Sequence, residues 1–281
     1  MQASTRAIII TGASSGLGAA LAVEYAQAGC TLGLIARNKR RLDNVAALCA
    51  GAGARCVTGS IDVTDKVALG RFIDAFDAEY PLDLLFVNAG VYAGHGPSRQ
   101  MESIDDVLWQ IRTNLEGAII TVSAALPGMR RRQRGHIALI GSLAALQSLA
   151  DAPGYSATKA GLVAYGEALR EYLAPEGISV SIVCPGYIET AQTAHHVGAL
   201  PLLMSPERAA VIIRRRVDRR RSFIAFPLRL HWLIRLGRLV DWRTRAFFGR
   251  GLRFHTEKPA HLGTEATRSE TRKANIGEVG G

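Results

Sequence analysis

The chain has 281 residues, 48% hydrophobic and 21% charged, a globular balance that excludes wholesale disorder and fits one large α/β domain or two small ones. Its formal charge is +10 at pH 7, but residues 1–204 hold 16 Lys/Arg against 17 Asp/Glu, and residues 205–254 hold 14 against 3. The basic surplus belongs to one segment, which argues against nucleic acid as a partner of the whole protein.

From the first residues, short apolar β-branched runs alternate with helical spacing. Strands are predicted over 7–10, 31–36, 55–61, 82–87, 136–140, 179–183 and 222–226. Helices are predicted between them over 16–28, 39–50, 64–79, 102–132, 153–173 and 205–220. The strand runs are almost continuously hydrophobic, as strands covered on both faces are. Strand–helix alternation at this spacing implies right-handed βαβ crossovers and a parallel sheet. The reading is an α/β, doubly wound domain over 1–226, a basic helical extension rich in aromatic residues over 227–254, and a disordered tail over 255–281.

The turn after the first strand reads Thr11-Gly-Ala-Ser-Ser-Gly-Leu-Gly18. Gly12, Gly16 and Gly18 suit a tight turn, close approach to a pyrophosphate and close helix–strand packing, while Ser14, Ser15 and Leu17 open the helix whose free N–H groups face the anion. A ribose-binding acid about 20 residues on would mark NAD. The sequence instead places Arg37 at the end of the second strand, and a guanidinium bonds phosphate oxygens bidentately. NADP(H) is therefore the expected cofactor, with NAD(H) the alternative. Asp62, after the third strand, is placed to accept from an adenine amino group, with Val63 beside it.

Tyr155-Ser-Ala-Thr-Lys159 sets a phenol and an ammonium on one helix face. A tyrosine working near neutral pH needs its pKa lowered from about 10, and a nearby positive charge does this. Ser142, closing the fifth strand, is placed to hydrogen-bond the carbonyl oxygen that Tyr155 protonates.

With these residues together, the sequence resembles the short-chain dehydrogenase/reductase family, NADP-preferring branch. The glycine turn, Asn88-Ala89-Gly90, Asn114, Ser142, the YSATK run and Pro185-Gly186 carry the resemblance, strongly over residues 5–190. It implies a seven-stranded, mostly parallel Rossmann sheet with helices on both faces, and reversible hydride transfer between NAD(P)H and a carbonyl or alcohol. It also implies that Asn88, Ala89 and Gly90 line the adenosine side of the cofactor. Asn114 would join the catalytic set through a water linked to Lys159, and Lys159 would bond the nicotinamide ribose. Pro185, Gly186, Ile188 and Thr190 would cover the nicotinamide. A basic residue frequent in the glycine turn of NADP-preferring members is Ser15 here, so the NADP reading rests on Arg37.

The loops expected around the substrate, 91–101, 143–153 and 187–204, offer Tyr92, Leu143, Ala144, Ala145, Leu146, Leu149, Tyr187, Leu200, Leu202 and Leu203. The last two loops contain no Arg or Lys, which points to a lipophilic ketone or alcohol, acyl or steroid-like. The alternatives are a sugar- or polysaccharide-pathway reductase and a carrier-bound 3-oxoacyl reductase. A non-catalytic NADP-binding scaffold would be expected to lose Tyr155 or Lys159. His95, His195 and His196 read as solvated loop residues.

Four cysteines without CxxC or metal spacing read as reduced thiols in a cytoplasmic protein. Neither a signal peptide nor an apolar run of ~18 residues is seen, so secretion and membrane integration are not expected. The resemblance suggests a homodimer or homotetramer through 102–132 and 153–173. The segment 205–254 offers arginines mixed with Trp232, Trp242, Phe247 and Phe248. It is read either as a self-packed helix or as a dock for an anionic membrane surface on the cytoplasmic side or for an acidic carrier protein. Trp232 and Trp242 fall among the arginines on a helical wheel, so the amphipathicity is imperfect.

Overall fold

The computed structural model describes residues 6–96, 100–198, 200–237, 239–241, 243–244 and 254–256. In chain order come β1 (Arg6–Thr11), α1 (Gly16–Tyr25), β2 (Cys30–Ala36), α2 (Lys39–Gly51), β3 (Arg55–Ser60) and α3 (Lys66–Glu79). Next are β4 (Leu82–Val87), α4 (Ile104–Ile111), α5 (Gly117–Arg131), β5 (Gly135–Ile140), α6 (Pro153–Leu173) and β6 (Ile178–Pro185). The chain continues through β7 (His196–Gly198), α7 (Pro206–Val217), β8 (Phe223–Phe226), α8 (Leu228–Gly237) and β9 (Phe254–Thr256).

Seven strands form one sheet in the order β3-β2-β1-β4-β5-β6-β8, with every neighbouring pair parallel. The order reverses between β1 and β4, opening a crevice at the carboxyl ends of the strands. Successive side chains point to opposite faces, and each face has its own core. Ile8 and Ile10 join Leu21, Leu42 and Ile213 on one side, while Ile9 joins Ile73, Val122 and Leu162 on the other. This double covering is why the strands read as continuous apolar runs, and each fully buried Ile or Leu contributes roughly 1.5–3 kcal/mol.

Caps set the helix starts. Asp65 accepts from Val67 and Ala68 N–H, so α3 begins at Lys66 and not at 64. Ser205 accepts from Arg208 N–H and starts α7 at Pro206. The predicted single helix over 102–132 is interrupted by one π turn, Arg112–Glu116, between α4 and α5. Such turns concentrate at functional sites, and this one carries Asn114.

The topology divides the basic segment that the sequence presents as one surface. Arg214 reaches Glu24 and Asp218, Arg6 pairs with Asp218, and Arg220 donates to Ser179. These groups sit at the amino ends of β1, β6 and β8, opposite the crevice. α8 instead leaves the carboxyl end of β8 and stands at the crevice side. β7 and β9 pair antiparallel, His196 opposite Thr256, so residues 255 and 256, expected in a disordered tail, lie in a strand. Their pairing is made by main chain, which leaves no side-chain pattern to read. Residues 257–281 lie outside the described residues, as do Trp242, Phe247 and Phe248 of the extension.

Candidate active site

The end of β1 is tied to the end of β4 across the point where strand order reverses. Buried Thr11 accepts at Oγ1 from the N–H groups of Asn88 (3.0 Å) and Ala89 (3.1 Å), and Asn88 Nδ2 donates to the Thr11 carbonyl (2.9 Å). Gly12 and Gly16 sit at φ +68° and +53°, where a side chain is strained. A Cβ on Gly12 would lie 2.8 Å from Ala89 Cα, and one on Gly16 2.9 Å from Thr190 Cγ2. One on Gly18 would fall on the Gly12 carbonyl. The turn is a cradle that any Cβ would fill, at the amino end of α1, and a dinucleotide pyrophosphate fits it. Ser15 caps this helix in extended conformation without a side-chain bond, Ser14 is half-buried, and Leu17 turns into the cleft.

Arg37 is exposed at the end of β2, 3.7 Å from Asp62. Asp62 is held by Thr64, whose N–H and hydroxyl both donate to its Oδ1 (3.0 and 2.8 Å). Val63 is buried against Gly117. The next arginines, Arg40 and Arg41, are exposed on α2.

Ser142 lies two residues past the end of β5 and caps a short turn, accepting from Ala144 N–H at 3.1 Å. Its hydroxyl is near enough to Tyr155 to act on the phenol, in the direction that lowers its pKa. Tyr155 and Lys159 occupy consecutive turns of α6, with Pro153 as its first residue. The Lys159 ammonium lies 5.7 Å from the centre of the Tyr155 ring and donates to the Ile140 carbonyl at 2.8 Å. Buried Asn114 accepts from Val91 N–H (2.7 Å) and donates to the Val91 carbonyl (2.8 Å) and to Thr158 Oγ1 (3.2 Å). It clamps the loop after β4 onto α6. Gly90 stands between Asn114 and Lys159: a Cβ there would be 3.3 Å from the one side chain and 3.6 Å from the other.

These residues open on a cleft of about 740 Å³. Among the described residues its charged liners are Asp151 and Lys159, and the rest of the wall is largely apolar. Tyr92, Leu143, Ala144, Leu149 and Tyr187 line it as the sequence suggests. Ala145 and Leu146 instead pack on a small core with Val163 and Ile182, and Leu202 and Leu203 are exposed. Pro185 and Ile188 are buried cleft walls, and Thr190 reaches Gly16. The Gly186 N–H donates to Phe226 carbonyl (2.8 Å), and the absent Cβ lets Pro227 and Leu230 approach. His196 lines the cleft with its ring 4.5 Å from Tyr92, whose ring is 5.0 Å from Tyr155. The side chain of His195 lies outside the described residues.

The model of the short chain dehydrogenase family matches residues 6–198. The chain belongs to the short-chain dehydrogenase/reductase family. It is 34% identical over 238 residues to an uncharacterized oxidoreductase of Myxococcus xanthus, covering 84% of this chain and 93% of that one. It is 33% identical over 204 residues to the 3-dehydrosphinganine reductase TSC10B of Arabidopsis thaliana, covering 71% of this chain and 60% of that one. Among solved structures, a single-substitution variant of the actinorhodin polyketide ketoreductase with NADPH is 25% identical with a TM-score of 0.69, covering 79% of this chain and 95% of that one. The protein is thus an NAD(P)-dependent oxidoreductase of carbonyl and alcohol groups.

The electrostatics of this short-chain dehydrogenase/reductase correct one expectation. Tyr155 is not lowered: removal from water pushes the phenol up to about 12, against the lowering influence of the nearby Ser142 hydroxyl. The same desolvation brings Lys159 down to about 8. The ammonium that would stabilise a phenolate is itself disfavoured by burial, and it is turned to the Ile140 carbonyl. The sequence did not show the contribution of α8 and of the turn that follows it. Leu230, Leu233, Ile234, Gly237 and Val240 all line the cleft. The i, i+4 pair Leu230/Ile234 was the available signal, obscured by the arginines around it. A second missed link is Gln192, whose Nε2 donates to the Gly90 carbonyl (2.9 Å) and ties the loop after β6 to that after β4.

Proposed function

We propose that the protein is an NADP(H)-dependent reductase of lipophilic ketones, acyl or steroid-like in skeleton. The observation that carries this is the apolar cleft, roofed by α8, that ends on Ser142, Tyr155 and Lys159. Ser142 and Tyr155 donate hydrogen bonds to the substrate carbonyl oxygen, and the Tyr155 hydroxyl then gives up its proton to that oxygen. Lys159 carries positive charge beside the developing phenolate, which offsets the burial that holds its proton on Tyr155. Asn114 completes the catalytic set by fixing Val91 and Thr158 around them. The nicotinamide, when bound, supplies the hydride that reduces the carbonyl carbon.

For the cofactor, Gly12, Ser14, Ser15, Gly16, Leu17 and Gly18 cradle the pyrophosphate, Arg37 takes a 2′-phosphate, and Asp62 and Val63 take the adenine. Asn88, Ala89 and Gly90 line the adenosine side; Tyr155, Lys159, Pro185, Gly186, Ile188 and Thr190 surround the nicotinamide and its ribose. The likeness to a ketoreductase solved with NADPH supports the NADP preference. The likeness to a 3-dehydrosphinganine reductase supports the reductive direction.

Exposed Ile104, Leu108 and Ile111 at i, i+4, i+7, with Ile119 beyond, support a homodimer or homotetramer through α4, α5 and α6. Among the described residues no helix is long and apolar enough to cross a membrane. Our reading of location is cytoplasmic, attached at the inner face of a membrane.

The test is a panel of ketones of graded chain length, with a sugar carbonyl and a carrier-bound 3-oxoacyl group, assayed with NADPH and NADH in parallel. We expect kcat/KM to rise with chain length and to favour NADPH. Highest efficiency on the sugar carbonyl or on the carrier-bound group would replace this reading with the corresponding alternative.

A further inference from the structure

Among the described residues, nothing covers the outer face of α8. At about 100° per residue, Leu230, Ile234 and Gly237 share the face that closes the cleft. Leu228, Trp232 and Leu236 lie on the opposite face within about 80° of arc, and they are 52%, 58% and 61% exposed. Arg229 and Arg235, both exposed, fall on either side of this outer stripe. The wheel that looks imperfect in sequence therefore carries two apolar stripes, one for the cleft and one facing outward between arginines. Leu233 and Val240 stand at the border: each lines the cleft and is exposed, at 63% and 44%. The outward stripe thus continues into the mouth of the cleft. Leu202, Leu203 and Leu239 add exposed apolar side chains in the segments that flank it.

We propose that α8 docks on an anionic lipid bilayer, with Leu228, Trp232 and Leu236 entering the interface and Arg229 and Arg235 meeting lipid phosphates. Substrate then enters from the bilayer past Leu233 and Val240 without crossing water. The charge pattern favours this occupant. An apolar stripe flanked on both sides by arginine matches a surface that is apolar below and anionic above. An acidic carrier would meet arginines without burying Trp232 and Leu236, and the arginine-rich end of α7 lies at the far end of the sheet. A second copy of the chain has its own apolar stripe on α4 and α5. The proposal rests on the lipophilic-substrate reading above, since it explains why the mouth opens beside the docking stripe.

The experiment is sedimentation of the full-length protein with vesicles of phosphatidylcholine alone and of phosphatidylcholine mixed with phosphatidylglycerol. We expect binding to the mixed vesicles at least ~10-fold stronger than to the neutral ones. Trp232→Glu/Leu236→Glu should weaken it at least ~10-fold, while turnover of a short water-soluble ketone stays unchanged. Arg229→Ala/Arg235→Ala should weaken binding to the mixed vesicles only. Wild-type protein left in the supernatant overturns the proposal. So does binding that salt abolishes and the Glu variant does not, which would mark an electrostatic dock such as an acidic protein's. Dissociation of an oligomer by the Glu variant would assign the stripe to a second copy and also overturn it. If vesicle binding fails while long-chain ketones in detergent are still reduced, the lipophilic-substrate reading survives; if both fail, that reading falls too.

Discussion

His136 lies on β5, 3% exposed, with Nε2 2.8 Å from Ser181 Oγ, whose own proton goes to the Arg221 carbonyl at 2.7 Å. Ser181 therefore accepts, and the imidazole is neutral with its proton on Nε2. Desolvation first, then the nearby charges of Arg220 and Arg6, bring its pKa from 6.5 down to about 4. The unfolded chain takes up this proton near pH 6.5 and the folded one only near 4. Stability from this residue is fully present above pH 6.5 and is lost as the pH falls toward 4. At about 1.4 kcal/mol per pH unit, acidification from pH 7.5 to 4.5 removes roughly 2.5 kcal/mol through this one group. His136→Gln keeps a donor toward Ser181 but cannot take up the proton. Urea unfolding of both proteins at the two pH values measures the effect as a difference of differences, so carboxylates common to both cancel. The variant should lose roughly 2.5 kcal/mol less on acidification than the wild type. Equal losses within error would refute the argument and mean that His136 titrates normally in the fold.

Other expectations concern the site. Tyr155→Phe should cut turnover by roughly 10³-fold, within the range for losing a general acid. NADPH binding, followed by fluorescence, should stay nearly intact; loss of that binding would show that Tyr155 is misplaced in the scheme. Arg37→Ala should lower kcat/KM with NADPH by roughly 10- to 100-fold, the loss of one charge-assisted contact of about 1.5–3 kcal/mol, and leave NADH turnover unchanged. A parallel fall with both cofactors would remove Arg37 from the 2′-phosphate site. Asn114→Ala strands the buried N–H and carbonyl of Val91 and should cost roughly 2–4 kcal/mol of stability by thermal or urea unfolding. Wild-type stability with low activity would instead give Asn114 a chemical role alone.

The departure at Tyr155 and Lys159 is instructive because the motif was legible and its electrostatics were not. Spacing at i, i+4 puts the two groups on one helix face whatever the surroundings. Whether the phenol is acidic depends on how much water each group keeps, and that is set by loops distant in sequence. Asn114 is similar: its place in the chain is visible, but its three hydrogen bonds need β4, the π turn and α6 to meet.

The sequence alone determined the local elements of the sheet, the glycine turn, the Tyr155–Lys159 pair and the basic residue at the end of β2. Each depends on interactions within a few residues or on a pattern of burial repeated along one strand, so each leaves a trace at short range. Tertiary structure alone decided that the arginines of α7 lie at the amino ends of the strands while α8 closes the cleft at the other. Sequence neighbours separated by one strand of a parallel sheet emerge at opposite ends of it, and no composition or wheel records that reversal. It also decided that α8 shows one apolar stripe inward and another outward, because a helix face acquires a partner only when the chain has folded beside it.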